Sequence, residues 1–155
     1  MNIQSNMKRP VIFIYNRATL GSAIQLFTQH RIGTLPVVDD EGILIGILLL
    51  EDVIALLMPD FVHLLDNLRF VHDFGAFENR MYASLDKDQP IVNLMHEPIF
   101  CEDTFSLLHA AALMHQSEMA DLPVVDADHH LIGIISHVDI GIALLRQQQI
   151  STPAP

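Results

Sequence analysis

The chain has few of the features that mark secreted, membrane-spanning or disulfide-bonded proteins. Its one cysteine, Cys101, cannot form an internal disulfide, which is typical of a protein kept in a reducing compartment, so we expect a cytoplasmic location. The longest apolar run covers residues 43–50, far short of the roughly 20 residues that span a bilayer. The N-terminus lacks the charged start and apolar core of a signal peptide. We therefore expect no membrane insertion.

Positive charge is also scarce. Lysine and arginine together number 8 against 19 acidic residues, for a net charge of −11 with histidine neutral. Such a surface repels a phosphate backbone, so we expect no nucleic-acid partner. An anionic ligand would need positive side chains close to it. Four of the basic residues lie in the first part of the chain and could supply that charge, namely Lys8, Arg9, Arg17 and Arg31.

Motifs of catalysis and metal binding are missing as well. No Gly-x-Ser-x-Gly, Walker loop or pair of catalytic carboxylates occurs, so we expect the protein to have no catalytic activity. The nine histidines do not follow zinc-site spacing: His109 and His115 are six residues apart, and His129 and His130 lie in a predicted turn. Cys101 lies on an apolar strand, where cysteine commonly acts as a small hydrophobic residue. We expect no metal site and no nucleophilic thiol.

What the chain does contain is an internal repeat. Leu-Pro-Val-Val-Asp at residues 35–39 recurs 87 residues later at 122–126. At that offset residues 19–58 (copy 1) and 106–145 (copy 2) align without a gap. Half of the residues are hydrophobic, which argues for a packed globule. Any site in one copy should therefore be compared with its equivalent in the other.

Each copy is predicted to fold as strand, helix, strand, strand, helix, from its apolar periodicity and its turn residues. Thr19 is the expected N-cap of the first helix and Gly33 its expected end. The predicted elements are strand 11–14, helix 20–32, strands 35–39 and 43–50 and helix 51–58, then strand 99–101, helix 104–117, strands 122–126 and 131–136 and helix 137–146.

The segment between the copies, residues 60–89, does not repeat. Phe61, Leu64, Leu65 and Leu68 have helical spacing and predict an amphipathic helix, which either packs in the core or contacts a partner. Before each copy comes a similar short segment, shifted by one residue against the main offset. These are Met-Lys-Arg-Pro at residues 7–10 (lead-in 1) and Met-His-Glu-Pro at residues 95–98 (lead-in 2).

The polar residues best suited to bind a ligand follow the last strand of copy 2. Gly133 lets a backbone and a ligand approach closely, and Ser136 ends the strand. Asp139 lies in the first turn of the next helix, whose free N–H groups favour an anion. A carboxylate there can accept hydrogen bonds from ribose hydroxyls while Ser136 donates to a phosphate, with His137 either nearby or simply on the surface. The alternative is that Ser136 or Asp139 only caps the helix.

The repeated β-α-β-β-α order, the Leu-Pro-Val-Val-Asp strand and the Gly-Ile-Ile-Ser-His-Val-Asp ending resemble the CBS (cystathionine-β-synthase-type) domain. A tandem pair of such domains is called a Bateman module. The resemblance covers residues 7–58 (motif 1) and 93–147 (motif 2), with residues 59–92 as a helical linker. It implies an α/β (α+β) fold in which two β-α-β-β-α motifs pack about a pseudo-twofold axis.

The same resemblance implies a non-catalytic regulatory module that binds AMP, ADP or ATP, with S-adenosylmethionine also possible. Such modules commonly form homodimers, and we expect this one to act through its own oligomer or through a regulated protein in trans. The alternative is an interaction scaffold that keeps the fold but binds no nucleotide.

The resemblance also implies composite sites, in which the aspartate of one copy faces the first strand and the lead-in of the other. Copy 1 has Leu49 at the position of Ser136, which removes the phosphate-binding hydroxyl. The residues of the other half expected around Asp52 are acidic, which opposes a phosphate; they are Glu97, Glu102, Asp103, Glu118 and Asp121. We therefore expect the Asp139 site to be the working one and the Asp52 site, with Met119, to be degenerate. The predicted ligand-binding residues are Ser136, Asp139, Gly133 and His137 of copy 2, and Arg9, Phe13, Ile14, Ile32, Thr34 and Pro36 of the first half.

Overall fold

The computed structural model describes residues 2–58 and 85–150, so the predicted helix around Phe61 lies outside the described residues. Each copy forms a three-stranded sheet and two helices, which confirms the predicted mixed fold and the β-α-β-β-α order. The elements are β1 Ile14–Tyr15, α1 Leu20–His30, β2 Thr34–Val38, β3 Leu44–Leu49 and α2 Leu50–Leu57, then β4 Cys101–Glu102, α3 Leu107–Ser117, β5 Asp121–Val125, β6 Leu131–Ser136 and α4 His137–Ile150.

The two sheets share one topology and one register. In each, a short first strand runs parallel to the second strand, and the second and third strands form an antiparallel hairpin. Val37 pairs with Gly46 and Val124 pairs with Gly133, at equivalent positions. Both hairpins shift register at the next residue pair. The duplication therefore extends from the sequence to the backbone hydrogen bonds.

The start of α1 agrees with the prediction, whereas α3 begins at Leu107 rather than at residue 104, and α1 ends earlier than predicted. Thr19 caps α1 by accepting the backbone N–H of Ser22, as predicted, and Ser106 caps α3 in the same way. The prediction that Gly33 ends α1 is wrong, because Arg31 adopts the left-handed conformation of the C-cap with a φ of 53°. Glu118 does the same after α3, with a φ of 57°.

The first strand of each copy is shorter and lies later than predicted. Residues 11–13 and 99–100 are not in strands. Pairing with β2 involves only Ile14 and Tyr15, and pairing with β5 only Cys101 and Glu102. Apolar character alone predicted longer strands, but a parallel strand ends where its partner leaves the ladder.

The lead-ins exchange between the two copies. Lead-in 1 pairs with β6 of copy 2: the N–H of Lys8 donates to the carbonyl of Ile134 at 2.8 Å, and the reverse bond is 3.3 Å. Lead-in 2 pairs with β3 of copy 1 through His96 and Ile47, with bonds of 2.8 and 3.1 Å. Each sheet is therefore extended by the segment that precedes the other copy.

The hydrophobic cores follow the same exchange. Ile3, at the N-terminus, is fully buried in the core of copy 2 together with Leu122 and Ile135. Ile91, which precedes copy 2, is fully buried in the core of copy 1. Each core is therefore completed by a residue from the segment that precedes the other copy.

Two glycines make room for the exchanged lead-ins. A Cβ added at Gly133 would lie 2.3 Å from the sulfur of Met7, and one at Gly46 would lie 2.6 Å from the sulfur of Met95. Both glycines are buried at equivalent positions of the third strand. The space above Gly133, where the sequence suggested a ligand, is filled by a methionine from the other half.

Candidate functional site

The candidate site lies where β6 runs into α4. The hydroxyl of Ser136 donates to Oδ2 of Asp139 at 2.6 Å, and the backbone N–H of Asp139 donates to the Ser136 oxygen at 3.1 Å. The backbone N–H of Ser136 also donates to Oδ2 of Asp139, at 3.0 Å. This reciprocal pattern is a capping box. Ser136 and Asp139 therefore cap the start of α4.

Lead-in 1 supplies a cation to this site. Nζ of Lys8 lies 3.2 Å from Oδ2 of Asp139, although the Lys8 side chain is 64% exposed. Burial raises the pKa of Asp139, but the hydrogen bonds from Ser136 and the charge of Lys8 outweigh burial and hold that pKa below its usual range. All three side-chain contacts of Asp139 go to Oδ2.

A second acid lies beside the site, between the two copies. Asp121 starts β5 and pairs with Ser136 across the hairpin, and its carboxylate accepts a hydrogen bond of 3.5 Å from Thr34 at the start of β2. Burial raises the pKa of Asp121, which Lys8 and Thr34 oppose. The sequence placed Asp121 beside the Asp52 site alone, whereas the structure places it between both sites.

His137 lies on the exposed first turn of α4. Its ring Nδ1 is 3.3 Å from the carbonyl oxygen of Ala120, and its backbone N–H donates to the same oxygen at 2.9 Å. The residue therefore ties the start of α4 to the segment before β5, next to Asp121.

The equivalent place in copy 1 has a different chemistry. Leu49 stands at the N-cap of α2 and makes no side-chain cap hydrogen bond. Asp52, the equivalent of Asp139, is instead 2.8 Å from Nε2 of His96 in lead-in 2. His96 thus corresponds to Lys8, since each lead-in faces the aspartate of the other copy.

A cavity of about 310 Å³ opens between the copies on the Leu49 side. Leu49, Ile54 and Met119 supply its apolar surface, while Glu51, Glu118 and Asp121 give it negative charge. Thr34 lines it at the contact between the copies. Asp52 is not among the lining residues, so this cavity and the Asp52–His96 pair are separate features of copy 1.

The other predicted pocket residues do not all converge. Ile14 and Pro36 are buried, with Ile14 in the core of copy 1 and Ile32 packed against that core. Phe13 is 40% exposed and packs edge-on against Tyr15, and Arg9 is exposed with its guanidinium 3.9 Å from the sulfur of Met7.

The basic residues of the first half are dispersed. Arg17 forms an ion pair with Asp40 and lies over the ring of Tyr15, and Arg31 lines a groove beside α1. Lys8 is the member of the predicted basic group that the structure brings to Asp139. The sequence could have singled out Lys8, because Lys8 occupies in lead-in 1 the position that His96 occupies in lead-in 2.

Two other features could suggest a metal site or a reactive thiol, and both have a structural role instead. Ligand atoms of Asp126, Asp128 and His130 lie within 4.8 Å of one another in the β5–β6 turn. Oδ1 of Asp126 accepts two backbone N–H bonds there, as Oδ1 of Asp39 does in the other hairpin, so this acid holds the turn. Cys101 is fully buried in the core of copy 2, as expected of a small hydrophobic residue, and burial raises its pKa to about 12.

No helix among the residues 2–58 and 85–150 is long and apolar enough to cross a bilayer. A family model described as the CBS domain matches residues 2–59 and again residues 91–146. Inosine-5′-monophosphate dehydrogenase of Helicobacter pylori is 32% identical over 137 residues, which make up 88% of this chain and 23% of the enzyme. The chain therefore spans less than a quarter of that relative.

Two further comparisons cover more than nine-tenths of both chains. An uncharacterised protein of Methanocaldococcus jannaschii is 28% identical over 157 residues, covering 94% of this chain and 92% of the relative. The crystal structure of CBSX2 in complex with AMP superposes with a TM-score of 0.69 at 25% identity, covering 95% of this chain and 98% of that one.

Proposed function

The chain belongs to the CBS domain family, and on that premise we propose that it is a non-catalytic regulatory module that binds an adenine nucleotide, AMP, ADP or ATP, at the Ser136–Asp139 site. The similar protein CBSX2 has been crystallised with AMP, which supports this class of ligand. S-adenosylmethionine remains a further candidate, because its sulfonium charge suits an acidic surrounding.

The contact between Lys8 and Asp139 carries this proposal. It joins the lead-in of one half to the helix start of the other, at 3.2 Å, in a place where both side chains retain exposed surface. A charged pair of this kind at an exposed site contributes little to stability, at most about 1 kcal/mol. It does supply a carboxylate for hydroxyl groups and a cation for a phosphate within one composite site.

The chemistry of binding follows from the atoms present. Oδ2 of Asp139 already accepts three contacts, so Oδ1 is the atom we assign to the ribose hydroxyls. The Ser136 hydroxyl donates its hydrogen bond to Asp139 and thereby positions the carboxylate. To donate to the phosphate instead, the hydroxyl must turn away from Asp139. Lys8 and the positive end of the α4 helix dipole compensate the phosphate charge, against the opposing charge of Asp121.

A nucleotide in this position would bridge the two halves of the chain. Since Lys8 lies in lead-in 1, before copy 1, and Asp139 lies in copy 2, occupancy favours the arrangement in which they are close and shifts the population towards it. We propose that a homodimer, or a regulated protein in trans, reads out this shift, in a reducing compartment such as the cytoplasm.

Calorimetric titration of the full chain with AMP, ADP, ATP and S-adenosylmethionine tests this function. We expect saturable binding of at least one adenine nucleotide, with one main site per chain. The absence of measurable heat from all four compounds, at two temperatures so that a zero enthalpy cannot hide binding, would contradict it.

The second candidate function is an interaction scaffold without a nucleotide ligand. The capping box favours it, because helix capping alone accounts for Ser136 and Asp139. The negative charge of Asp121 beside the site also favours it. The scaffold predicts that Asp139→Asn lowers stability while every titration with nucleotide stays flat.

A further inference from the structure

The two helices of copy 1 leave an apolar groove between them (the α1–α2 groove). It consists of two adjoining depressions of about 350 and 510 Å³. Phe27 lines both depressions, and Val53 and Leu57 line the smaller one. Ile54, which also lines the smaller depression, is 43% exposed. The described residues therefore leave apolar surface of this groove uncovered.

The chain between the described parts, residues 59–84 (the connecting segment), begins and ends at this groove. Leu57, the last residue of α2, lines it. Leu85, where the described chain resumes, lines it as well and packs against the core of copy 1. The return is fixed to the start of α1, because the carbonyl oxygen of Lys87 accepts the N–H of Gly21 at 2.8 Å. Both ends of the connecting segment are therefore held at the rim of one groove.

The equivalent groove of copy 2 is less apolar. It lies between α3 and α4 with a volume of about 520 Å³. At equivalent lining positions it has His137 in place of Leu50 and Gly141 in place of Ile54. The more apolar of the two grooves is therefore the one that the connecting segment adjoins.

The first part of the connecting segment matches this groove in pattern and in charge. Residues 60–66 include two aspartates and no lysine or arginine. The charged residues that line the groove are both basic, namely Lys87 and Arg31. Such opposite charges favour docking and fix its register. Four apolar residues of the segment recur at helical spacing and form one face of the predicted helix (the apolar face), namely Phe61, Leu64, Leu65 and Leu68.

We propose that residues 60–68 dock as a helix in the α1–α2 groove, with the apolar face against Phe27, Ile54 and Leu57. The occupant of the groove is then a segment of the same chain, and the apolar surface of copy 1 is buried within one molecule. A second copy of the chain, or another protein, would have to displace this segment to reach that surface. The proposal does not depend on nucleotide binding.

The backbone at the end of α2 supports a change of direction towards the groove. Met58 is extended, with a φ of −82° and a ψ of 132°, and Pro59 cannot continue α2 because it has no N–H to donate. Proline is favoured at the first position of a new helix, and an acidic residue such as Asp60 is favourable in its first turn. The predicted helix can therefore begin at the rim of the groove and turn back over it.

Cross-linking in the full chain tests the docked geometry. Thr28 is exposed on α1 and lines both depressions, so Thr28→Cys is combined with Leu65→Cys on the apolar face. The matched control combines Thr28→Cys with His63→Cys, which lies on the opposite side of the predicted helix. With a short bismaleimide at low protein concentration, we expect several-fold more intramolecular product from the first pair. The native Cys101 is buried and contributes little background. Equal yields from the two pairs, or product that forms only between molecules, would overturn the proposal.

Proteolysis gives a second test that needs no added cysteine. Arg69 directly follows the apolar face, so docking should protect the peptide bond after Arg69 from trypsin. Ile54→Asp places a charge in the groove and should speed cleavage there roughly fivefold or more, because cleavage follows the population of the undocked segment. Gly141→Asp, at the equivalent position of copy 2, is the matched control and should leave the rate unchanged. Circular dichroism confirms that both variants are folded. An unchanged rate in Ile54→Asp would overturn the proposal.

Neither experiment contains a nucleotide, so docking and nucleotide binding can fail separately. Protection of Arg69 together with flat nucleotide titrations would contradict the nucleotide function alone. Saturable AMP binding without that protection would contradict the docking alone.

Discussion

The exchange of lead-ins between the copies predicts that an added methyl group at Gly133 destabilises the protein through one particular methionine. A Cβ there would lie 2.3 Å from Sδ and 2.9 Å from Cγ of Met7, whereas an ordinary contact of such atoms is about 3.5–4 Å. The side chain must therefore move by more than about 1 Å. Overpacking of this kind costs typically about 1–3 kcal/mol, and the removal of a strand glycine returns about 0.5–1 kcal/mol. We expect Gly133→Ala to lower the free energy of unfolding by about 1–2 kcal/mol.

A double-mutant cycle assigns this cost to Met7. Met7→Ala removes Sδ and Cγ and leaves its own Cβ at 3.3 Å, so Gly133→Ala should cost about 1–2 kcal/mol less in that background. Met95→Ala is the matched control, because Met95 occupies the equivalent place over Gly46. Gly133→Ala and Met95→Ala should therefore add within about 0.5 kcal/mol.

Urea unfolding followed by circular dichroism measures these free energies. Gly33→Ala gives the baseline for a harmless substitution, since a Cβ at Gly33 meets nothing within 4 Å. Additivity of Gly133→Ala with Met7→Ala, or coupling to Met95→Ala instead, would refute the exchanged packing.

The remaining predictions concern the site and the thiol. Ser136→Ala removes the cap hydroxyl of α4 and should lower the free energy of unfolding by about 1 kcal/mol, measured by the same urea curves; an unchanged midpoint would contradict the capping geometry. Asp121→Asn removes a negative charge beside the phosphate position and should tighten AMP binding at pH 7 by roughly two- to tenfold, whereas Asp128→Asn in the distant hairpin should leave the affinity unchanged; weaker binding in Asp121→Asn would place the phosphate elsewhere. Cys101, buried with a pKa raised to about 12, should react with an aromatic disulfide reagent only after unfolding, and rapid labelling of the native protein would contradict its burial.

The fold could be predicted because its signals repeat. Thr19 precedes an apolar helix face, and the Leu-Pro-Val-Val-Asp strands were recognisable twice, so one copy supported the interpretation of the other. Boundaries were less accurate. Arg31 rather than Gly33 ends α1, since a single residue reaches the left-handed conformation at modest cost and no sequence rule singled it out.

The candidate site was predictable only in part. The spacing of Ser136 and Asp139 predicts either a ligand site or a helix cap. The exchange of the lead-ins was not visible, because Met7 and Met95 look like ordinary apolar residues until the paired glycines explain them. Asp121 was assigned to one side because its contact with Thr34 depends on how the copies face each other, which a linear pattern does not specify.

Titration of AMP into Asp139→Ala and Asp52→Ala, beside the wild-type chain, tests the central claim most directly. The two aspartates occupy equivalent positions, so each variant controls for the other, and circular dichroism confirms that both are folded. We expect Asp139→Ala to weaken binding at least about tenfold, from the loss of a charge-assisted hydrogen bond worth about 1.5–3 kcal/mol, while Asp52→Ala binds like the wild type. Loss of binding in Asp52→Ala with normal binding in Asp139→Ala would contradict the assignment of the site.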